Sequence, residues 1–563
     1  ELGAKILRPV IRFDPDGYTG EAFTSCLKDL ARELGASAKY DQAFKDAVQA
    51  QVEYDNACEQ IGRSALDFCK DKKVVPIVVL GRPYTIHNDV LNSNVPSILR
   101  SLGAMAIPID CLPVPADMPT YNDQYWGHTQ RNLRAAEYVR RTPGLYSVFC
   151  SNYACGPDSF TLHFFSYIMQ GKPFAVVETD GHSGDAGTKT RMEAFLFCVD
   201  TDLRAKASDS NPKSDFKSLE DRKINLREVK DQQGLVLIPR MGPQAELAAA
   251  CLRSEGYRAE ALPISNADDV RMGRRHTSGK ECVPMMLTAG TMLNRLDRAK
   301  KSGNDDKFVF FMPTASGPCR FGVYNTLHKI VLEQAGYGDS VQIVCPDDGD
   351  YFRDLSADFS LRVWIGFCAW DLLQMMLFDV RPVERRKGAA NEIFARYIKE
   401  LLELCENPPK TSAFNTVREL FGGLWGTQDL LARAAKDFAA IKNRVRDVPS
   451  VAIVGEIYVR LDPFANDFVI DKLEERGLRV RIAPFIEWLE YTSFLAEDRI
   501  IKGRMRSDDH PINIGVTGVV QRATLDTLYN ICAKPLDWGH RMTVKQSLDA
   551  AECYISSELT GEA

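Results

Sequence analysis

Apolar residues follow two different spacings along this chain, and the changes of spacing mark its elements. Over residues 1–73 they recur at three and four among Ala, Lys, Glu and Gln, which predicts a helical N-terminal segment. At 74–80 the pattern becomes VVPIVVL, a continuous run of strand length stopped by Gly81-Arg82-Pro83. The helix VPSILRSLG (95–103) and the strand AMAIPI (104–109) follow, leading into Asp110-Cys111. Strand, turn, helix and strand at this length form a βαβ unit, which predicts a parallel sheet covered on both faces. LYSVFC, the helix TLHFFSYIMQG and the strand KPFAVVETD (172–180) continue the pattern, giving a first Rossmann-like domain over 74–200.

Residues 201–233, with DSNPKSDFKSLEDRK, interrupt the alternation and read as a polar linker. A second Rossmann-like domain (234–384) opens with GLVLIPR and runs through KFVFFMP (307–313) to VQIVCPD (341–347). A helical connector (385–448) then leads to a third α/β domain (449–563), opened by PSVAIVGEIYVRLDPFANDFVIDKLEERGLRVRIAP. SLGAMAIPID, SEGYRAEALPI and ERGLRVRIAP place Gly103, Gly256 and Gly477 at helix C-termini, where a left-handed residue is wanted. The predicted class is α/β, with tandem Rossmann-like parallel-sheet domains joined by helical segments. This is repetition of a domain type, not a solenoid.

Length and charge narrow the picture. At 563 residues and 45% apolar composition the chain can bury several cores. Lys plus Arg total 70 against 76 acids, with no long block of either sign, which gives no footprint for nucleic acid or an anionic membrane surface. No apolar run approaches the roughly 18 residues that span a bilayer. The N-terminus, ELGAKILRPVIRF, lacks the basic-then-apolar order of a signal peptide and reads as a cut edge, or as the start of a subunit whose partner is elsewhere. The expected location is cytoplasmic.

Fifteen cysteines, an odd number, argue against a disulfide framework and for reduced thiols. Cys26, Cys58, Cys69, Cys198, Cys251, Cys368, Cys405, Cys532 and Cys553 fall in helical-looking segments, where free Cys acts as a small buried hydrophobe. Cys150 and Cys345 end strands among apolar neighbours and read as core. Others fall elsewhere: FCSNYACGPDSF (149–160), SGKECVP (278–284) and TASGPCRFG (314–322) hold cysteines in Gly/Pro-rich turns. Backbone N–H groups turned toward a sulfur in such a turn suit a thiolate bound to iron or zinc. Cys111, Cys155, Cys282 and Cys319 thus collect where open α/β sheets place ligands. Two separated cysteines per domain are too few for a self-contained site. Ligands from different domains meeting in a cleft would satisfy the count, and buried structural thiols are the alternative.

The polar loops add weaker candidates. Arg82, Tyr84 and His87, in and behind GRPY, could line a pocket and bind a carboxylate or phosphate, or form a plain turn with a surface Arg. Gly187, Thr188 and Lys189 open a helix and would favour an anion, although Asp185 could simply cap it and the P-loop spacing is absent. No GxGxxG follows a leading strand, so neither NAD nor flavin is expected, and the eight histidines form no HExxH constellation. Asp347-Asp348-Gly349-Asp350 lacks the later Glu of a calcium loop and reads as a solvated turn.

GRPY, SLGAMAIPID, CGPDSF and KPFAVVETDGHSGDAGTKTRMEAF together resemble the 2-hydroxyacyl-CoA dehydratase and benzoyl-CoA reductase superfamily, closest to the large acyl-CoA dehydratase activase-related, double-cubane cluster-like proteins. GRRHTSGKECVP, MPTASGPCRFGVYN and VGEIYVRLDPFANDFVIDKLEERG look like further parts of the same proteins, and the resemblance covers roughly residues 74–540. It implies a [4Fe–4S] or double-cubane iron–sulfur cluster in a cleft between Rossmann-like domains, reduced by an ATP-hydrolysing activase of actin-like fold. Cys155, Cys282 and Cys319 match motif cysteines. Cys111 sits where dehydratase subunits often have a ligand, though activase-related relatives frequently lack it. The relatives' ATPase modules and preceding cysteine-bearing domain are not found here, which implies a partner chain or a missing N-terminal domain that completes the cluster site. The implied function is a low-potential redox component acting on a small molecule of the acyl-CoA type. The alternatives are a non-catalytic electron-relay or assembly subunit of the same fold, and a metal-free small-molecule-binding protein.

Overall fold

The structure, a computed structural model, describes residues 7, 9, 11, 13, 17–179, 184–205, 215–315, 317–346, 355, 356, 358–408, 419, 420, 422–445, 448–502 and 510–557. Two compact units divide the chain between Phe216 and Lys217, with Asn122–Tyr125 belonging to the second.

The first unit opens with helices α1 (Glu21–Glu33) and α2 (Tyr40–Lys72). Its parallel sheet holds β1 (Val75–Gly81), β2 (Ala104–Pro108), β3 (Tyr146–Ser151) and β4 (Phe174–Glu178) in the order β2-β1-β3-β4. Short helices α3 (Pro83–Ile86) and α4 (Val95–Ser101), then α5 (Gly127–Arg141), α6 (Asp158–Ile168) and α7 (Asp185–Ala205), make the crossovers. Every residue of β3 is buried, as expected of a central strand covered on both faces. Gly81 closes β1 against β3, for a Cβ there would stand 2.4 Å from the Cys150 carbonyl oxygen.

The second unit repeats that order. After α8 (Phe216–Asp221) and α9 (Leu226–Asp231) come β5 (Leu235–Ile238), α10 (Ala245–Ser254), β6 (Arg258–Ala261), α11 (Ala267–Arg274), α12 (Val283–Lys301), β7 (Phe308–Phe311), α13 (Tyr324–Gln334) and β8 (Val341–Val344). The strands lie parallel as β6-β5-β7-β8. The stretch read as a polar linker therefore carries two helices, with Leu219, Leu226 and Val229 buried and Asn225 capping α9 through a reciprocal bond with Glu228. Its apolar residues are few, but they fall at helical spacing and reach the sheet.

Helices α14 (Phe359–Val380), α15 (Ala389–Glu406) and α16 (Thr427–Ile441) follow, then β9 (Ser450–Ile453), α17 (Ile457–Leu461), α18 (Val469–Glu475), β10 (Arg479–Ile482), α19 (Phe485–Ile501), α20 (Pro511–Leu536) and α21 (Val544–Ala551). β9 and β10 form a two-stranded parallel sheet. Gly103, Gly256 and Gly477 adopt φ of +83°, +82° and +80°, the left-handed helix ends that the repeated pattern predicts. The α/β class with parallel sheets holds throughout.

One expectation needs correction. Among the described residues Phe359–Val383 is a helical stretch long and apolar enough to cross a membrane, and 83% of its apolar window is buried within the protein. Its sequence hides this because Arg362, Asp371 and Asp379 interrupt the apolar run. In the fold they lie buried and paired, so α14 serves as a core helix.

Candidate functional site

In both sheets the crossovers leave to opposite sides between the first and third strands, the switch point at which open α/β sheets bind ligands. In the first unit this point joins Arg82, just after β1, to the turn after β3. Arg82 donates from Nη2 to the Cys155 carbonyl (3.0 Å) and from Nε to Asp158 Oδ1 (3.3 Å). Ser151 Oγ donates to Asp158 Oδ2 (3.1 Å) and accepts from the Ala154 N–H (3.1 Å). Burial pushes the Asp158 carboxyl above its ordinary range, against the pull of the Arg82 guanidinium and the Ser151 hydroxyl. The turn is backbone-strained: Tyr153 and Ala154, neither of them glycine, take φ of +46° and +55°. It presents Cys155 exposed at the sheet edge.

The second unit places Cys319 after β7, the equivalent strand. The Cys319 sulfur accepts the Phe321 N–H at 3.5 Å, an arrangement that stabilises a thiolate. Gly322 lets the turn close on itself, since a Cβ there would stand 2.5 Å from the Ala315 carbonyl oxygen. Cys282 is the residue before α12, and the α11–α12 hairpin brings it to the same edge. That hairpin is tight because Gly273 and Gly290 oppose backbone carbonyls of Met286 and Asp269. Glu281 folds the loop before it, accepting from Ser278 N (2.9 Å), Ser278 Oγ (2.8 Å), Gly279 N (3.0 Å) and Lys280 N (3.1 Å). At the start of α13 the buried Tyr324 hydroxyl is hydrogen-bonded to Cys282 and lies close to Cys319. Burial first, and the two thiols second, hold this phenol protonated far above its ordinary range.

The other predicted residues are placed as follows. His87 Nε2 and Arg131 both pair with the Asp110 carboxylate, next to Cys111. Tyr84 is exposed on α3. Cys111 is half-buried and hydrogen-bonded to Cys58, and its thiol is pushed up by burial first, then by Cys58 and the Asp110 carboxylate. Gly187 and Lys189 are exposed in the first turn of α7, Thr188 is buried, and Asp185 accepts from Asn94 Nδ2 (2.8 Å). Cys150 is fully buried in β3, its thiol pushed up to about 12 by burial, whereas Cys345 is only half-buried. Cys69, Cys251, Cys368, Cys405 and Cys532 are buried on helices, but Cys198 and Cys553 are exposed. Asp347-Asp348-Gly349-Asp350 lies outside the described residues.

The sequence reading missed Asp158, Ser151 and Tyr324 as site residues, although CGPDSF and GVYN contain two of them. Among the described residues no group of three or more His, Cys, Asp or Glu side chains is arranged to hold a metal ion. Cys282 and Cys319 have the donor chemistry of an iron–sulfur ligand set and half of the four thiolates that a cubane takes.

A family model described as the CoA enzyme activase uncharacterised domain (DUF2229) matches residues 1–112, from the N-terminal helices to one residue past Cys111. No curated protein and no solved structure matches the chain. The match covers 112 of the 563 residues and links that segment to the CoA enzyme activase area.

Proposed function

We propose that the chain is the redox component of an activase-linked system, holding an iron–sulfur cluster through Cys282 and Cys319 of the second unit; in the first unit Cys155 is a separate candidate thiolate. The observation that carries this reading is the approach of Cys282 and Cys319 to one buried hydroxyl, Tyr324, at a sheet edge suited to ligands. When bound, such a cluster supplies single electrons at low potential, which is what removing an unactivated hydroxyl or reducing a very stable bond requires. The chain's own contribution is positional and electrostatic. The Phe321 N–H and the Tyr324 O–H donate to the two sulfurs, which fixes the sulfur positions and spreads thiolate charge. Within the first unit, Arg82, ion-paired with Asp158 and bonded to the Cys155 carbonyl, fixes the Cys155 turn. An ATP-hydrolysing activase is the proposed electron donor, and a small molecule of the acyl-CoA type the proposed substrate. Location in the cytoplasm fits this partner.

Anaerobic purification followed by iron and sulfide determination, with EPR of the dithionite-reduced protein, tests the reading. About four irons or more per chain, lost in Cys282→Ser and Cys319→Ser, is the expected result. Folded chain that binds no iron after reconstitution with ferrous iron and sulfide would overturn it. Substrate turnover with an activase then separates a catalytic component from an electron relay.

A further inference from the structure

A second thiol pair lies where α2 crosses the turn Ile109–Cys111, just past the outermost strand β2 of the first unit. Gly62 makes the crossing close: a Cβ there would stand 1.6 Å from the Cys111 carbonyl oxygen, so helix and turn meet backbone to backbone. Cys58 sits four residues earlier, one helical turn along the same face. Its side chain is hydrogen-bonded to that of Cys111 and also to the Tyr54 hydroxyl. Both cysteines are free thiols, and both are half-exposed and open to a small reagent. Sulfurs already in hydrogen-bond contact need a modest shift to reach the S–S distance of about 2 Å.

We propose that Cys58 and Cys111 form a reversible disulfide by exchange with a small-molecule disulfide of the glutathione class, clipping α2 to the turn. The Cys58 thiolate attacks one sulfur of the small disulfide, and a first thiol leaves as a mixed disulfide forms on Cys58. The Cys111 sulfur then attacks Cys58 and expels the second thiol. Two protein thiols lose two electrons and two protons, and the small disulfide gains both and departs as two thiols. The consequence falls on Asp110, whose carboxylate is hydrogen-bonded to His87 and ion-paired with Arg131. Closing the clip tethers that ion-pair cluster covalently to α2. The proposal uses none of Cys155, Cys282 and Cys319, so it stands apart from the iron–sulfur reading.

Cys251 and Cys405 provide an internal contrast: they too are hydrogen-bonded, but both are buried in the second unit's core. The test exposes the reduced full-length chain to oxidised glutathione at neutral pH, quenches with acid, alkylates and maps the peptides by mass spectrometry. The expected product is a Cys58–Cys111 linked peptide pair, formed roughly tenfold faster in the folded chain than in urea, where a long loop separates the thiols. Cys251 and Cys405 stay reduced in the folded chain, and Cys58→Ser abolishes the link without changing the iron content of the anaerobic protein. Equal rates in the folded and unfolded chain, or a glutathione adduct on Cys58 that persists beside free Cys111, would overturn the proposal. So would loss of iron in Cys58→Ser, which would assign the pair to a metal.

Discussion

The Tyr324 hydroxyl is hydrogen-bonded to Cys282 and lies beside Cys319, so one buried phenol marks the point where two chain-distant turns meet. Tyr324→Phe removes a donor that stabilises the Cys282 thiolate. Alkylation of Cys282 by iodoacetamide at pH 7.5 is expected to slow roughly three- to tenfold, the effect of up to one unit in the thiol's titration. Cys319, which keeps the Phe321 N–H, serves as the internal reference. An unchanged rate at Cys282 would show that the hydroxyl does not support the thiolate.

Arg82 and Asp158 form the ion pair that braces the Cys155 turn, and the Asp158 side chain is only 4% exposed. Arg82→Met leaves that carboxyl buried, with the Ser151 hydroxyl as its hydrogen-bond donor and His128 nearby. Loss of a partner from a buried pair costs about 3–5 kcal/mol, and the partial exposure of Arg82 brings the expectation down to about 2 kcal/mol. Asp158 is already raised by burial and rises further in the variant. The destabilisation is therefore larger at pH 8, where the acid must be charged, than at pH 5. Urea midpoints at the two pH values read the difference, and equal losses would show that Arg82 acts through packing alone.

The strands and the three Gly helix ends were legible because they depend on local pattern: a continuous apolar run, a turn, a glycine before the next strand. The cysteine turns were legible for the same reason. Their partners were not. Tyr324 reaches Cys282 across 42 positions of sequence, and Cys58 reaches Cys111 across 53, so neither contact leaves a local trace. Cys58 looked like any helical cysteine because its surroundings on α2 are polar, and only the Gly62 crossing brings a second thiol to it. Helices α8 and α9 were hidden in a stretch of polar composition, where a few apolar residues at helical spacing carry most of the burial and Glu220 is buried beside them.

Two glycines separate close packing from helix propensity. In isolation, Gly→Ala inside a helix is stabilising by up to about 1 kcal/mol. At Gly290 an added Cβ would stand 1.9 Å from the Asp269 carbonyl oxygen, and at Gly62 the clash with the Cys111 carbonyl is closer still. Each substitution is expected to reverse that gain and lower stability by about 2 kcal/mol. Gly290→Ala displaces the α11–α12 hairpin that carries Cys282, whereas Gly62→Ala separates Cys58 from Cys111. Thermal melts measure the loss, and the thiol readouts tell the two sites apart. A rise in melting temperature for either variant would show that the crossing yields to the extra methyl.

Asp371 lies fully inside the second unit on α14, where Oδ1 accepts from Gln244 Nε2 (2.6 Å) and Oδ2 from the Ile486 N–H at the start of α19 (2.7 Å). Those donors favour the carboxylate, but burial outweighs them and the carboxyl is pushed up to about 7. In the unfolded chain it titrates near its ordinary value of about 4. The folded state therefore binds this proton more tightly, and the resulting stability is fully present below about pH 4 and lost as pH rises through 7. A shift of this size corresponds to something on the order of 4 kcal/mol between the two ends of the window. Asp371→Asn removes the titration while keeping one acceptor for the α19 N-terminus. The difference in urea stability between variant and parent should move in the variant's favour from pH 4.5 to pH 7.5. A difference that stays constant would show that Asp371 is ionised across the whole range, with its donors outweighing burial.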